Sequence, residues 1–220
     1  MRLTSLFPPK KYTDRNIQLL SDYIDFILQV DDHTKIIFAD EKPMREADSF
    51  GRVRRDVMSG EVPPNVSREG IDAKYRYNIF AAVTTKQNVE RNVEAVVLDL
   101  IGDSTLFQIF VLYLLEIRFL EYGDIFVVDN CSIHTQGENQ FLVEALWYQH
   151  GVLMMPLPPY TPELNPTELV FNTMAARIKA NRSRSIIEPG DAFTEIVQSE
   201  FSAMSRKDVK KFFRHCGYNV

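Results

Sequence analysis

A chain of 220 residues with 45% apolar side chains can bury a full core, and its length fits one domain or one domain with a small appendage. A quarter of it is charged and neither Gly nor Pro is enriched, which excludes disorder and fibrous repeats. A net charge of -5 excludes a protein that coats nucleic acid nonspecifically, because that binding needs many Lys and Arg to neutralise phosphates. The charge is unevenly spread: residues 169–220 carry nine Lys and Arg against five Asp and Glu, and residues 1–168 carry 16 against 25.

Residues 1–16, with Pro8, Pro9, Lys10 and Lys11, read as a tether leading into an amphipathic helix from about Ile17 to Val30, so that 1–34 form an N-terminal unit. A short apolar strand, Lys35 to Ala39, then ends at Asp40. Tyr75 to Thr84 and Asn92 to Leu100 are rich in β-branched and aromatic residues and predict two further strands, with a long loop or hairpin excursion over Gly51 to Gly70. After Gly102 the spacing turns helical to about Tyr122. The run Leu106 to Leu115 within it reads as a buried helix, because it falls short of the roughly 20 apolar residues a bilayer span needs.

Asp124 to Val128 predicts another strand, Glu138 to His150 a helix, and Val152 to Pro156 a final strand. From Pro166 the chain reads as helical, with breaks near Ser183 to Gly190 and near Ser205. Three consecutive strands followed by strands alternating with helices imply an α/β fold, a mixed sheet flanked by helices, over residues 35–185, with 186–220 as a helical extension. The opening MRLTSLFPPKKYTDR has no apolar stretch before its charges, so the expectation is a protein that stays inside the cell, off the membrane. Cys131 and Cys216 match no metal or redox spacing and are expected to be reduced.

Asp40 and Asp129 each follow an apolar strand, at the sheet edge where a charged side chain can leave the core. Parallel neighbouring strands would bring them together. Carboxylates forced close repel one another, a shared cation relieves the repulsion, and hard oxygen ligands select Mg²⁺ or Mn²⁺. Glu168 is the third candidate. In LPPYTPELNPTE (Leu157 to Glu168), four prolines stiffen the approach to a helix with Asn165 as N-cap, Pro166 as first residue and Glu168 in the first turn. A Glu three residues after an N-cap is also the capping-box arrangement, and Asp40 or Asp129 taken singly reads as a solvated strand-end carboxylate.

The combination is more informative than its parts. VVDNCSIH (Val127 to His134) followed by LPPYTPELNPTE resembles the second and third catalytic blocks of the Tc1/mariner and IS630 transposases, and FADEK (Phe38 to Lys42) resembles the first. The 38 residues between Asp129 and Glu168 are similar to the spacing in that superfamily's DDE triad. The resemblance covers roughly Ile36 to Asn181, with a weaker likeness in FFRHCGY (Phe212 to Tyr218). It implies an RNase H-like fold and cut-and-paste chemistry on DNA, with Asp40, Asp129 and Glu168 holding two Mg²⁺ or Mn²⁺ ions. It also implies in-line phosphoryl transfer with water, then a liberated 3′-hydroxyl, as nucleophile.

Asn130 and His134 match family positions where they would orient Asp129 or touch DNA, and Glu41 matches the family's DE pair. Arg177, Lys179, Arg182 and Arg184 follow Glu168 on or after its helix and are placed to meet phosphates or to form a solvated face. Arg52, Arg54 and Arg55 fit DNA beside the site, or a hairpin with exposed charges. Trp147 and its aromatic neighbours fall at helical spacing and are expected in the core.

Family transposases carry N-terminal helix-turn-helix domains of roughly a hundred residues, which this sequence does not contain. The expectation is a catalytic fragment, or a derivative that takes its DNA specificity from a separate domain or partner. Relatives usually act as dimers, but no interface is legible. If the host is eukaryotic, work on chromosomal DNA requires nuclear entry; otherwise the protein is expected in the cytoplasm. Two rivals share the carboxylates or the fold: another RNase H-like nuclease, and a domesticated transposase kept for interaction alone.

Overall fold

The computed structural model describes residues 12–45, 76–98, 104–129, 139–182 and 191–220. Helix α1 (Asp14–Leu28) starts at Thr13, whose hydroxyl accepts the Asn16 N–H, and buries Tyr23 and Ile27 on one face. Strands β1 (Ile36–Arg45), β2 (Arg76–Val83) and β3 (Val93–Leu98) follow, then α2 (Ser104–Glu116), β4 (Ile125–Val128), α3 (Asn139–Ala145), β5 (Leu153–Pro156), α4 (Pro166–Arg182), α5 (Asp191–Ser202) and α6 (Arg206–His215). The five strands form one sheet in the order β3-β2-β1-β4-β5. β2 is antiparallel to both β1 and β3, and β4 is parallel to both β1 and β5. This mixed sheet flanked by helices is the architecture expected from the sequence.

Period-two alternation sends the strand side chains to two separate cores. Ile36, Phe38, Ile79, Ala81, Val83 and Val127 pack with residues of α1, α4, α5 and α6. Ile37, Ala39, Phe80, Ala82, Phe126 and Val128 pack with α2, α3 and their flanking turns. α2 buries Phe107, Phe110, Val111 and Leu114 and exposes Ile109 and Leu112, so the apolar run yields a helix with one buried face.

Two expectations need correction. Asp40 was placed at the end of its strand, yet β1 continues five residues beyond it to Arg45. Only the parallel pairing with β4 stops, at Ala39 opposite Val128, while β2 pairs on through Arg45. Because, among the described residues, the stretch after Ala39 is paired on one side only, Pro43 is tolerated there without its N–H. Trp147 is 53% and Tyr148 81% exposed, so neither is core. Past α3 the chain winds one π-helical turn (Leu146–His150), which shifts the helical phase and leaves Leu146 as the inward residue.

The C-terminal element is tied to the rest of the first core. α6 is capped by Ser205 and buries Val209 and Phe213, and Tyr218 beyond it packs on Phe38 and Phe213. The Tyr218 hydroxyl donates to the Leu164 carbonyl at 2.8 Å and lies 2.8 Å from the Tyr23 hydroxyl. Since the Tyr218 hydrogen is committed to Leu164, Tyr23 is the donor of that second bond. No described helix is long and apolar enough to cross a membrane.

Candidate active site

Asp40 lies on the same face of β1 as Ile36 and Phe38, four and two residues upstream, and so points toward α4. Asp129 directly follows β4, whose last pair with β1 is one residue short of Asp40. Parallel pairing thus brings two sequence-distant aspartates to one end of the sheet. Glu168 arrives from the other side, in the first turn of α4. That start is set by a single turn of 3₁₀ helix (Pro162–Leu164) and by Asn165, whose Oδ1 accepts the Thr167 N–H at 3.1 Å. The three carboxylates line one cavity of about 340 Å³ together with Glu41, Lys42, Tyr160, Asn165 and Phe171.

The capping-box role of Glu168 is not formed. Asn165 N–H, which that box would bind, donates to the Pro162 carbonyl at 3.0 Å, and the Glu168 carboxylate pairs with Lys42 Nζ at 3.5 Å. Lys42 Nζ also stands 5.2 Å from the centre of the Phe171 ring.

Asp40 is the most constrained of the three. Its Oδ1 accepts the Glu41 N–H at 2.8 Å, and its Oδ2 accepts Asn165 Nδ2 at 3.0 Å. Thr167 Oγ1 is 3.3 Å from the same Oδ2 and also contacts Asn165 Oδ1; its one hydrogen serves one of them at a time. Burial pushes the Asp40 carboxyl up to about 7, and the negative charges of Asp129 and Glu168 push the same way, against the Glu41 and Thr167 hydrogen bonds.

Tyr160, at the lip of the cavity, holds a left-handed backbone with φ 62°, uncommon for a bulky residue. Thr167, Lys42 and the contact of Asn165 with Asp40 were missed by the sequence reading. The only signal for Thr167 was its place beside Glu168 in the proline-rich block.

The oxygen-only donor set suits a hard divalent cation. As placed, the three carboxylates do not converge on a point: among the described residues, no group of three or more His, Cys, Asp or Glu stands close enough to hold one ion. Unscreened carboxylates repel, and Lys42 draws Glu168 to itself. The residues therefore fit such an ion in chemistry and in a shared cavity, with the Lys42 pair as its competitor.

Of the DNA-contact candidates, Arg177 is engaged within the fold, donating to the Ala203 carbonyl at 3.4 Å and pairing with Asp208 at 3.7 Å. Lys179 lies on α4 and Arg182 ends it. Arg52, Arg54, Arg55, Asn130 and His134 lie outside the described residues, as do Arg184 and Cys131. Cys216 is free and buried, and burial pushes its thiol up to about 11.

The sheet order and the helices on both faces define an RNase H-like fold, with the carboxylates at one end of its parallel strands. Residues 35–188 match the family model of the DDE superfamily endonucleases, and the chain belongs to that family. Its fold is shared with the Mos1 mariner transposase. Against a Mos1 paired-end complex with the left transposon end, the TM-score is 0.67 at 15% identity, over 98% of this chain and 62% of that one. A Mos1 paired-end complex with Mn gives 0.67 at 15%, over 98% and 64%. The catalytic domain of Mos1 alone gives 0.62 at 13%, over 98% and 91%. This chain thus spans under two thirds of the Mos1 chain in each of those two complexes and nearly all of the Mos1 catalytic domain. Comparison with curated proteins gave no match. The resemblance seen in the three sequence blocks holds in the family model and in the fold of a mariner transposase.

Proposed function

We propose that this chain is the metal-dependent endonuclease and strand-transferase domain of a cut-and-paste DNA transposase, acting through Asp40, Asp129 and Glu168. The observation that carries the proposal is that three carboxylates far apart in sequence line one cavity at the end of the parallel strands. Membership of the endonuclease family supports it, and so does the Mos1 complex with a transposon end.

Asp40, Asp129 and Glu168 would hold two Mg²⁺ or Mn²⁺ ions, and Mos1 has been solved with Mn. When bound, such ions supply Lewis acidity at the attacking and leaving oxygens of an in-line displacement. The protein's own share is placement. Asn165 and Thr167 hold Asp40, the α4 cap sets Glu168, and Lys42 brings a positive charge into the cavity where a scissile phosphate would enter. The phosphodiester is opened by water, and the freed 3′-hydroxyl attacks a target strand, with no covalent protein nucleophile. DNA ends and target are the substrates, and the chain would work as a dimer and with a separate end-recognising domain or partner. In a eukaryotic host it would act in the nucleus.

The Lys42–Glu168 pair favours a second reading, a transposase-derived fold kept for interaction without turnover. Nicking of supercoiled plasmid in Mg²⁺ or Mn²⁺ separates the two. The catalytic reading expects metal-dependent nicking that Asp129→Asn and Glu168→Gln each reduce at least a hundredfold. Nicking that survives both substitutions would refute the triad, and Mn²⁺ titration showing no binding would support the second reading.

A further inference from the structure

Asn165 is buried at the junction of the two elements that carry Asp40 and Glu168. Its Nδ2 donates to Asp40 Oδ2 at 3.0 Å while its Oδ1 accepts the Thr167 N–H at 3.1 Å. The second contact fixes the amide's orientation. Turned over, it would set its NH₂ against a backbone donor and its oxygen against a carboxylate. Capping alone does not require this residue type, because Ser and Asp cap a helix about as well as Asn. Only an amide offers an acceptor to the helix and a donor to the carboxylate from one rigid plane. Asp would put a second negative charge beside Asp40, and Ser has one short hydroxyl.

Building on the metal-dependent reading above, we propose that Asn165 is a positioning residue for cation binding. Its single amide locks the start of the Glu168 helix to the Asp40 carboxylate and leaves Asp40 Oδ1 as the oxygen with capacity for an ion. A carboxylate oxygen offers about two lone-pair sites. At Oδ2, Asn165 Nδ2 fills one and Thr167 Oγ1 stands near the other. At Oδ1, the Glu41 N–H is the one donor among the described residues, which leaves room for a cation. Partners that orient a metal-binding side chain typically change affinity about 10–100-fold when removed.

The test compares the 220-residue chain with Asn165→Ser, which keeps a cap and loses the amide donor, and Asn165→Ala, which loses both. MnCl₂ is titrated calorimetrically, and melting is followed in EDTA. The expected result is Asn165→Ser melting no more than several degrees below the parent, the cost of one lost hydrogen bond, while binding Mn²⁺ about 10–100-fold more weakly, with Asn165→Ala, which loses the cap as well, melting lower still and binding no better. Mn²⁺ affinity within threefold of the parent in Asn165→Ser overturns the positioning role while the metal-dependent reading stands. A melting loss in Asn165→Ser as large as in Asn165→Ala makes Asn165 a structural residue and also overturns it. If the parent binds no Mn²⁺, the metal-dependent reading falls and this inference with it.

Discussion

A carboxyl held at about 7 is half protonated at neutral pH, and Asp40 is in that state in the cation-free chain. The cause is burial first and the neighbouring carboxylates second. The sign follows: a carboxyl raised above its ordinary value lends its stability below the usual carboxylate range and loses it as pH rises through about 7. A divalent ion reverses that balance by displacing the proton. Calorimetric Mn²⁺ titration in buffers of different ionisation enthalpy should therefore release close to one proton at pH 6 and almost none at pH 8.5. Release of almost none at pH 6 as well would show that Asp40 is already ionised there. The three carboxylates were legible from sequence because each lies in a short block whose chemistry is local. Lys42 and Thr167 were not, since their roles come from contacts across more than a hundred residues of chain.

Between elements, two polar ties carry the argument. Tyr218, beyond α6, bridges Tyr23 of α1 and the Leu164 carbonyl one residue before Asn165. Tyr218→Phe would strand a buried carbonyl and the Tyr23 donor, at about 1–3 kcal/mol, or several degrees of melting temperature. Tyr23→Phe removes only a bond that Tyr218 accepts and should cost less. Thermal melts that reversed this order would refute the assigned donor directions. At the opposite end of the sheet from the carboxylates, Lys86 pairs with buried Asp124 and donates to the Phe119 carbonyl at 3.1 Å. Burial raises the Asp124 carboxyl, and Lys86 and the Glu121 N–H oppose that. Lys86→Met would leave that buried charge uncompensated and destabilise by about 3–5 kcal/mol, measurable by urea unfolding; a loss under 1 kcal/mol would mean the pair is wet. Neither tie could be read in advance, because each joins residues that no motif links. The succession of strands and helices along the chain was readable from hydrophobic patterning, whereas the phase of Trp147 was lost where α3 gives way to a π-helical turn.

For the whole molecule, charge sets the terms on which DNA can be held. The chain is net negative, its first 168 residues hold 16 cationic against 25 acidic side chains, and four of those acidic groups, Asp40, Glu41, Asp129 and Glu168, line the cavity that a phosphate would approach. Nonspecific affinity grows with the number of phosphates neutralised, and here Arg177, one of the candidates for that work, is tied to Asp208 and Ala203. Divalent ions at the carboxylates would invert the local sign. A gel shift on the 220-residue chain should therefore show weak retention of duplex DNA in EDTA, and stronger retention in Ca²⁺, which suits an oxygen site. Terminal-repeat and scrambled sequences should differ by less than tenfold. Tight, selective binding in EDTA would show that this domain reads transposon ends by itself. Equal retention with and without Ca²⁺ would mean that DNA does not meet the carboxylates at all, and that the basic segment 169–220 alone holds it.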